Sequence, residues 1–145
     1  SKQGFTIIEV VLVLAIAGLI FLMVFIALPA LQKSQRDTQR RSDVGRFRAQ
    51  INQYQANNKG GLPDNTDIDS FVTNYLEGNG GWIDPKTGEE YALKSAVGDL
   101  DKAGDYAYSK GSKCAGESFD DATGTRSYAV AMKLEGSGVT CQDNQ

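Results

Sequence analysis

Histidine is missing altogether from the 145 residues, and cysteine and proline are scarce, at two and three. Without histidine the chain has neither the commonest general base nor the commonest metal-binding side chain. Ser/His/Asp and Cys/His catalytic arrangements are therefore excluded, and two cysteines alone do not make a zinc site. The glycine-rich stretch Gly78-Asn79-Gly80-Gly81 lacks the Gly-Lys-Ser/Thr ending of a phosphate-binding loop. No enzyme and no cofactor are expected. A further shortage is local: no charged side chain occurs between Val10 and Leu31.

That uncharged run is 22 residues of mostly Val, Leu, Ile, Phe and Met. About 18 such residues suffice to span a bilayer as a helix. One acid, Glu9, stands at its head, five positions after Gly4. An ionisable group in a membrane segment costs on the order of a few kcal/mol, so it is a functional candidate by default. An ordinary signal peptide differs, with a core of about 7–15 apolar residues and a small-residue cleavage site.

The stretch Gly4-Phe5-Thr6-Ile7-Ile8-Glu9, with the apolar residues after it, resembles the class III signal sequence of type IV pilins and their relatives. The resemblance is dense from Gly4 to Leu31 and looser beyond. It implies cleavage after Gly4 by a prepilin peptidase and N-methylation of Phe5. It also implies assembly into a helical filament of identical subunits by an ATP-driven platform machinery. The protein would be a single-pass cytoplasmic-membrane protein before assembly and part of an extracellular pilus afterwards. Cleavage would leave a positive amine on Phe5, one helical turn from Glu9. In a bundle of helices both charges leave water, and pairing them neutralises both and sets the axial register. The implied function is a structural pilus subunit supporting adhesion or twitching motility. The alternatives are a type II secretion pseudopilin, a DNA-uptake pilin, or, from another class, a membrane-anchored binding module that never polymerises.

The division expected is 1–4 as leader remnant, 5–31 as transmembrane and assembly helix, 32–57 as its amphipathic continuation, and 58–145 as a globular head. Within the continuation Val44, Phe47, Ile51 and Tyr54 form one helical stripe. Asn57-Asn58-Lys59-Gly60-Gly61-Leu62-Pro63 is a strong stop. Gly18 and Pro29 weaken the helix, and Pro29 is expected to kink or break it. The resemblance places a glycine at Gly18, but places a proline three residues before Pro29, at Ile26.

Residues 1–57 carry 7 basic and 3 acidic side chains, and residues 58–145 carry 8 and 15. Lys33, Arg36, Arg40, Arg41, Arg46 and Arg48 read as a solvated helix face, with Asp37–Arg41 and Asp43–Arg46 as local pairs. By the positive-inside rule this basic stretch would be cytoplasmic. The resemblance and the cysteine pair both place it outside.

The head reads as α+β, with an antiparallel sheet packed on helix, as in the type IV pilin fold that the resemblance implies. Thr66 or Asp67 can cap a short helix bearing Ile68, Phe71, Val72, Tyr75 and Leu76. A turn follows at 84–88. Strands are predicted at 105–109, 127–134 and 139–141, the last two joined by a hairpin loop at Gly136-Ser137-Gly138. Cys114 and Cys141 bracket the middle strand and are expected to form a disulfide, which favours a pilus subunit. Asp99, Asp101 and Asp105 faintly echo a calcium loop but lack the distal glutamate. A calcium loop would favour the pseudopilin. Tyr106 and Tyr108 with Lys110 and Lys113 could touch DNA, but the acidic head opposes phosphate binding, so nucleic acid is not an expected partner.

Overall fold

The computed structural model describes residues 4–136 and 138–145. Leader residues 1–3 and Ser137, the centre of the expected hairpin loop, lie outside the described residues. The chain divides into two compact units, Ser1–Gln35 and Arg36–Gln145. Helix α1 (Ile7–Asn57) supplies residues 7–35 to the first and 36–57 to the second.

The second unit is α+β, an arrangement consistent with the pilin fold. After α1 come α2 (Ile68–Phe71), which runs into a π-helical turn (Val72–Leu76), and then β1 (Leu93–Lys94). β2 (Tyr106–Lys110), β3 (Ser112–Ala115), β4 (Ser118–Asp121), β5 (Tyr128–Lys133) and β6 (Val139–Asp143) follow. The main sheet has the order β1-β2-β5-β6. Its β2-β5 and β5-β6 pairs are antiparallel, but β1 joins β2 in parallel, so the sheet is mixed and not purely antiparallel. β3 and β4 form a separate hairpin. Gly111, with φ of 80°, turns the chain out of β2 and into it.

The helical stripe finds its partner here. Val44, Phe47 and Ile51 are fully buried against Ile68, Phe71, Val72 and Leu76 and against Tyr106, Tyr108, Tyr128, Val130 and Met132. Phe47 lies at the centre, with ring centroids 5.1 Å from Phe71 and 5.4 Å from Trp82. In β5 both faces are covered: Val130 and Met132 lie in the core, and Ala129 and Ala131 are buried as well. Their small side chains suit a face approached by β3, which contacts both β5 and β6. Asp67 stands before α2 but makes no side-chain cap bond, so the expected cap is not formed. The turn at 84–88 closes as Gly88 N–H donates to Asp84 O at 2.9 Å and Lys86 N–H to Asp84 Oδ1 at 2.8 Å.

Three of the arginines read as solvated are not: Arg40 is fully buried, and Arg36 and Arg46 are each half-buried. Arg40 Nη1 donates to Asp37 Oδ1 (2.8 Å) and Glu135 Oε2 (3.1 Å), and Nη2 to Asp84 Oδ1 (2.7 Å). Arg36 makes a two-pronged contact with Glu135. Asp37 therefore pairs with Arg40, three residues on, and not with the exposed Arg41. It also accepts the N–H groups of Glu135 and Gly136, each at 2.7 Å, which pins the chain after β5 to α1. Asp43–Arg46 forms as expected, at 2.9 Å, and Asp43 also accepts the Tyr91 hydroxyl at 2.6 Å.

This cluster carries a pH dependence. The hydrogen bonds from Arg36, working against burial, hold the Glu135 carboxyl at about 2 instead of 4.5. Burial raises the Asp37 carboxyl, but the N–H groups of Glu135 and Gly136 and the Arg40 guanidinium outweigh it and leave it lowered. A folded-state value below the unfolded one gives stability that is complete above the unfolded value and lost on acidification. Unfolding followed through the buried Trp82 should show stability falling as pH drops below about 4 and continuing to fall towards about 2. Glu135→Gln should be less stable at neutral pH and show a shallower acid slope. An unchanged slope would contradict the assignment.

Cys114 and Cys141 are joined in a disulfide, 27 residues apart, that ties the β3-β4 hairpin to β6. Replacing both by serine should lower the unfolding free energy by about 3 kcal/mol in urea titrations of the detergent-solubilised chain. An unchanged midpoint and slope would show that the bridge adds nothing.

Candidate functional site

The N-terminal segment belongs to the first unit. Gly4, Phe5 and Thr6 precede the helix, on exposed backbone, and α1 starts at Ile7. The Gly4–Phe5 bond is thus free of helical structure and accessible. Phe5 itself is 88% exposed. The first helical carbonyl is that of Thr6, which accepts Val10 N–H at 3.3 Å.

Thr6 and Glu9 close on each other. Glu9 N–H donates to Thr6 Oγ1 and Thr6 N–H donates to Glu9 Oε2, both at 3.2 Å. This is a capping box, in which two orphan N–H groups of the helix start are satisfied reciprocally. It fixes the glutamate at the helix start, where a carboxylate also suits the positive end of the helix dipole. Among the described residues no group donates to Oε1 of Glu9, so one oxygen is available to an incoming cation. The pattern Thr6-x-x-Glu9 ahead of an apolar run was legible in the sequence as a capping box, and the role of Thr6 was missed.

Every large apolar side chain from Phe5 to Leu31 is exposed on the single chain. The helix is long and apolar enough to cross a membrane. It is continuous through Gly18 and Pro29, so of the kink or break expected at the proline the break does not occur. Proline's fixed φ fits a helix, and the loss of one N–H bond does not outweigh the intact turns on either side. A Cβ at Gly18 would meet nothing within 4 Å, so no packing among the described residues requires that glycine.

The weaker candidates are not gathered into a site. Asp105 Oδ2 accepts the N–H groups of Asp101 (3.1 Å) and Lys102 (3.0 Å), closing the turn on itself. Asp99 instead accepts the Ser95 hydroxyl at 3.4 Å. Among the described residues no three Asp, Glu, Cys or His side chains are placed to hold a metal ion. Tyr106 and Tyr108 are buried, and the Tyr108 hydroxyl donates to Pro63 O at 2.8 Å, so neither ring is free to stack on a base.

The family model of the prokaryotic N-terminal methylation motif matches residues 1–25. The chain carries a class III signal sequence of the type IV pilin kind. That signal sequence covers Gly4, Phe5 and Glu9 and marks a type IV pilin- or pseudopilin-like prepilin. It implies processing by a prepilin peptidase and pilus assembly, and with its apolar helix it points to membrane anchoring. Proteins with this signal sequence are structural, pilin-type proteins. No curated protein and no solved structure matches the chain.

The capping box makes a local prediction. Thr6→Val should cost the helix start about 1 kcal/mol and speed amide exchange at Glu9, whose N–H the Thr6 hydroxyl accepts, in detergent, while Thr6→Ser should leave exchange nearly unchanged. Equal exchange in Thr6→Val and the wild type would mean that the box does not hold the helix start.

Proposed function

We propose that this protein is a structural subunit of a type IV pilus. A prepilin peptidase cleaves after Gly4, Phe5 is N-methylated, and the subunit polymerises through residues 5–31 into an extracellular filament that serves adhesion or twitching motility. Before assembly the same residues anchor it in the cytoplasmic membrane. The observation that carries this reading is an apolar helix, exposed on all sides, with one acid held at its head. A plain membrane anchor needs no such acid.

Glu9 has a defined part in that assembly. Cleavage converts the Phe5 amide into a positive amine. Packed among other subunits, amine and carboxylate both leave water, and either one unpaired is strongly unfavourable. The Phe5 amine pairs with Glu9 of a neighbouring subunit or with its own. A subunit displaced along the axis would leave both charges unpaired, so the pairing fixes register. The Cys114–Cys141 bridge favours the pilus subunit over a pseudopilin.

Mass spectrometry of the exported chain should give a mature N-terminus at methylated Phe5, and a mass that retains Gly4 would overturn the processing step. In the native host Glu9→Leu should insert and be cleaved normally, because the apolar span is only lengthened, but should yield few or no filaments. Wild-type filament numbers from that variant would remove the assembly role of the glutamate.

A further inference from the structure

The π-helical turn ends in Glu77-Gly78-Asn79-Gly80, an exposed turn that holds an Asn-Gly pair. Asn79 N–H and Gly81 N–H both donate to Leu76 O, at 3.1 and 3.0 Å. Gly80 N–H, between them, donates to no group among the described residues. Gly80 brings no side chain to shield that nitrogen, and its φ of 106° suits glycine. Two contacts fix the surroundings. Asn79 Nδ2 donates to Tyr75 O at 2.9 Å. Arg46 Nη1 donates to Asn79 O at 3.0 Å, while Nη2 is held on Asp43 at 2.9 Å. The guanidinium lies so near that a Cβ at Gly80 would collide with Nη1.

We infer that Asn79-Gly80 is a site of self-modification, where Asn79 deamidates through a succinimide and Arg46 promotes the reaction. Hydroxide removes the Gly80 N–H proton. The negative charge is shared between that nitrogen and Asn79 O, the oxygen on which Arg46 donates. A positive donor aimed at an atom where charge develops lowers the barrier, as in an oxyanion hole. Gly80 N then attacks Asn79 Cγ. The N–Cγ bond forms, the Cγ–Nδ2 bond breaks, and Nδ2 takes up protons from water and leaves as ammonia. Water opens the ring at either carbonyl, giving aspartate or isoaspartate. The net change is amide plus water to acid plus ammonia, with no redox partner.

The product alters the turn. The amide donor that faced Tyr75 O becomes an acceptor, so two acceptors oppose each other at the end of the π-helical turn. The isoaspartate form also lengthens the main chain by a methylene. A long-lived extracellular subunit would therefore gain negative charge and a loosened 77–81 turn with age.

The test is to incubate the full chain, solubilised in detergent, at mildly alkaline pH and digest it with trypsin. Cleavage after Lys59 and Lys86 gives one peptide holding Asn65, Asn74 and Asn79. Chromatography with mass spectrometry then resolves Asn, Asp and isoAsp at each position. Asn79 should convert well ahead of Asn65 and Asn74, at a rate proportional to hydroxide, and equal rates at the three positions would overturn the site. R46Q should slow conversion at Asn79 about five- to tenfold, less than a donor in a closed oxyanion hole supplies because this turn is open to water, and R46K should restore most of the rate. Equal rates in the wild type and a folded R46Q would overturn the role of Arg46. Emission from Trp82 reports whether the variant is folded. If R46Q is not, the wild type decides: conversion of Asn79 at least as fast in the native chain as in urea supports promotion, and slower native conversion overturns it.

Discussion

Residues 5–31 carry apolar side chains at nearly every position. Their large side chains are all exposed, and each one the size of leucine or phenylalanine is worth about 1.5–3 kcal/mol when removed from water. Such a helix must be covered, by lipid or by other helices. A membrane accepts it without any acid, whereas close packing of identical helices accepts Glu9 only if a cation arrives with it. In the proposed assembly that cation is the Phe5 amine, which cleavage after Gly4 would create one turn from the glutamate. The capping box keeps the glutamate at the helix start in the meantime, with one oxygen committed to Thr6.

In the second unit residues 36–57 obey the opposite rule, burying one face while the rest stays in water. The apolar part of that face is ordinary core. The polar part is less ordinary, since Arg36, Asp37 and Arg40 meet Asp84 and Glu135, which lie far away in sequence. A buried ion cluster of this kind is weak evidence for net stability, because desolvation offsets most of the attraction. What it supplies is geometry. Asp37 receives two backbone N–H groups just after β5, and Arg40 reaches the 84–88 turn, so two loops and one helix are held in a single arrangement. Truncating Arg40 would leave several buried carboxylates without a cation, a much larger penalty than loss of a surface pair.

The sequence was readable where one periodicity or one local pattern decides the structure. The stripe Val44, Phe47, Ile51 needed only helical spacing, and β2, β5 and β6 needed only β-rich runs bounded by turns. Reading failed where the partner is distant. Nothing near Arg40 tells it from Arg41, and only the fold brings Asp84 and Glu135 to one and leaves the other exposed. β1 has two residues, too few for any periodicity, and its parallel pairing depends on where Ala92 and Tyr106 meet. The β3-β4 hairpin carries Lys, Asp and Ser with no apolar alternation, and the disulfide and the turn at Gly111 hold it in place. At Pro29 the helix continues without a break, since the ring's fixed φ fits a helix and the turns on either side are intact. At the N-terminus Thr6-x-x-Glu9 carries two readings at once, a capping box and a charged head for the apolar run, and the reading of Glu9 as a charge gives Thr6 no role.

The central claim is that copies of this chain pack together through residues 5–31 in a filament. Electron microscopy of material sheared from the cell surface, labelled with an antibody against the head, tests it most directly. The account predicts thin filaments decorated along their whole length, built from chains that begin at Phe5. Label confined to membrane fragments, with every filament bare, would contradict it.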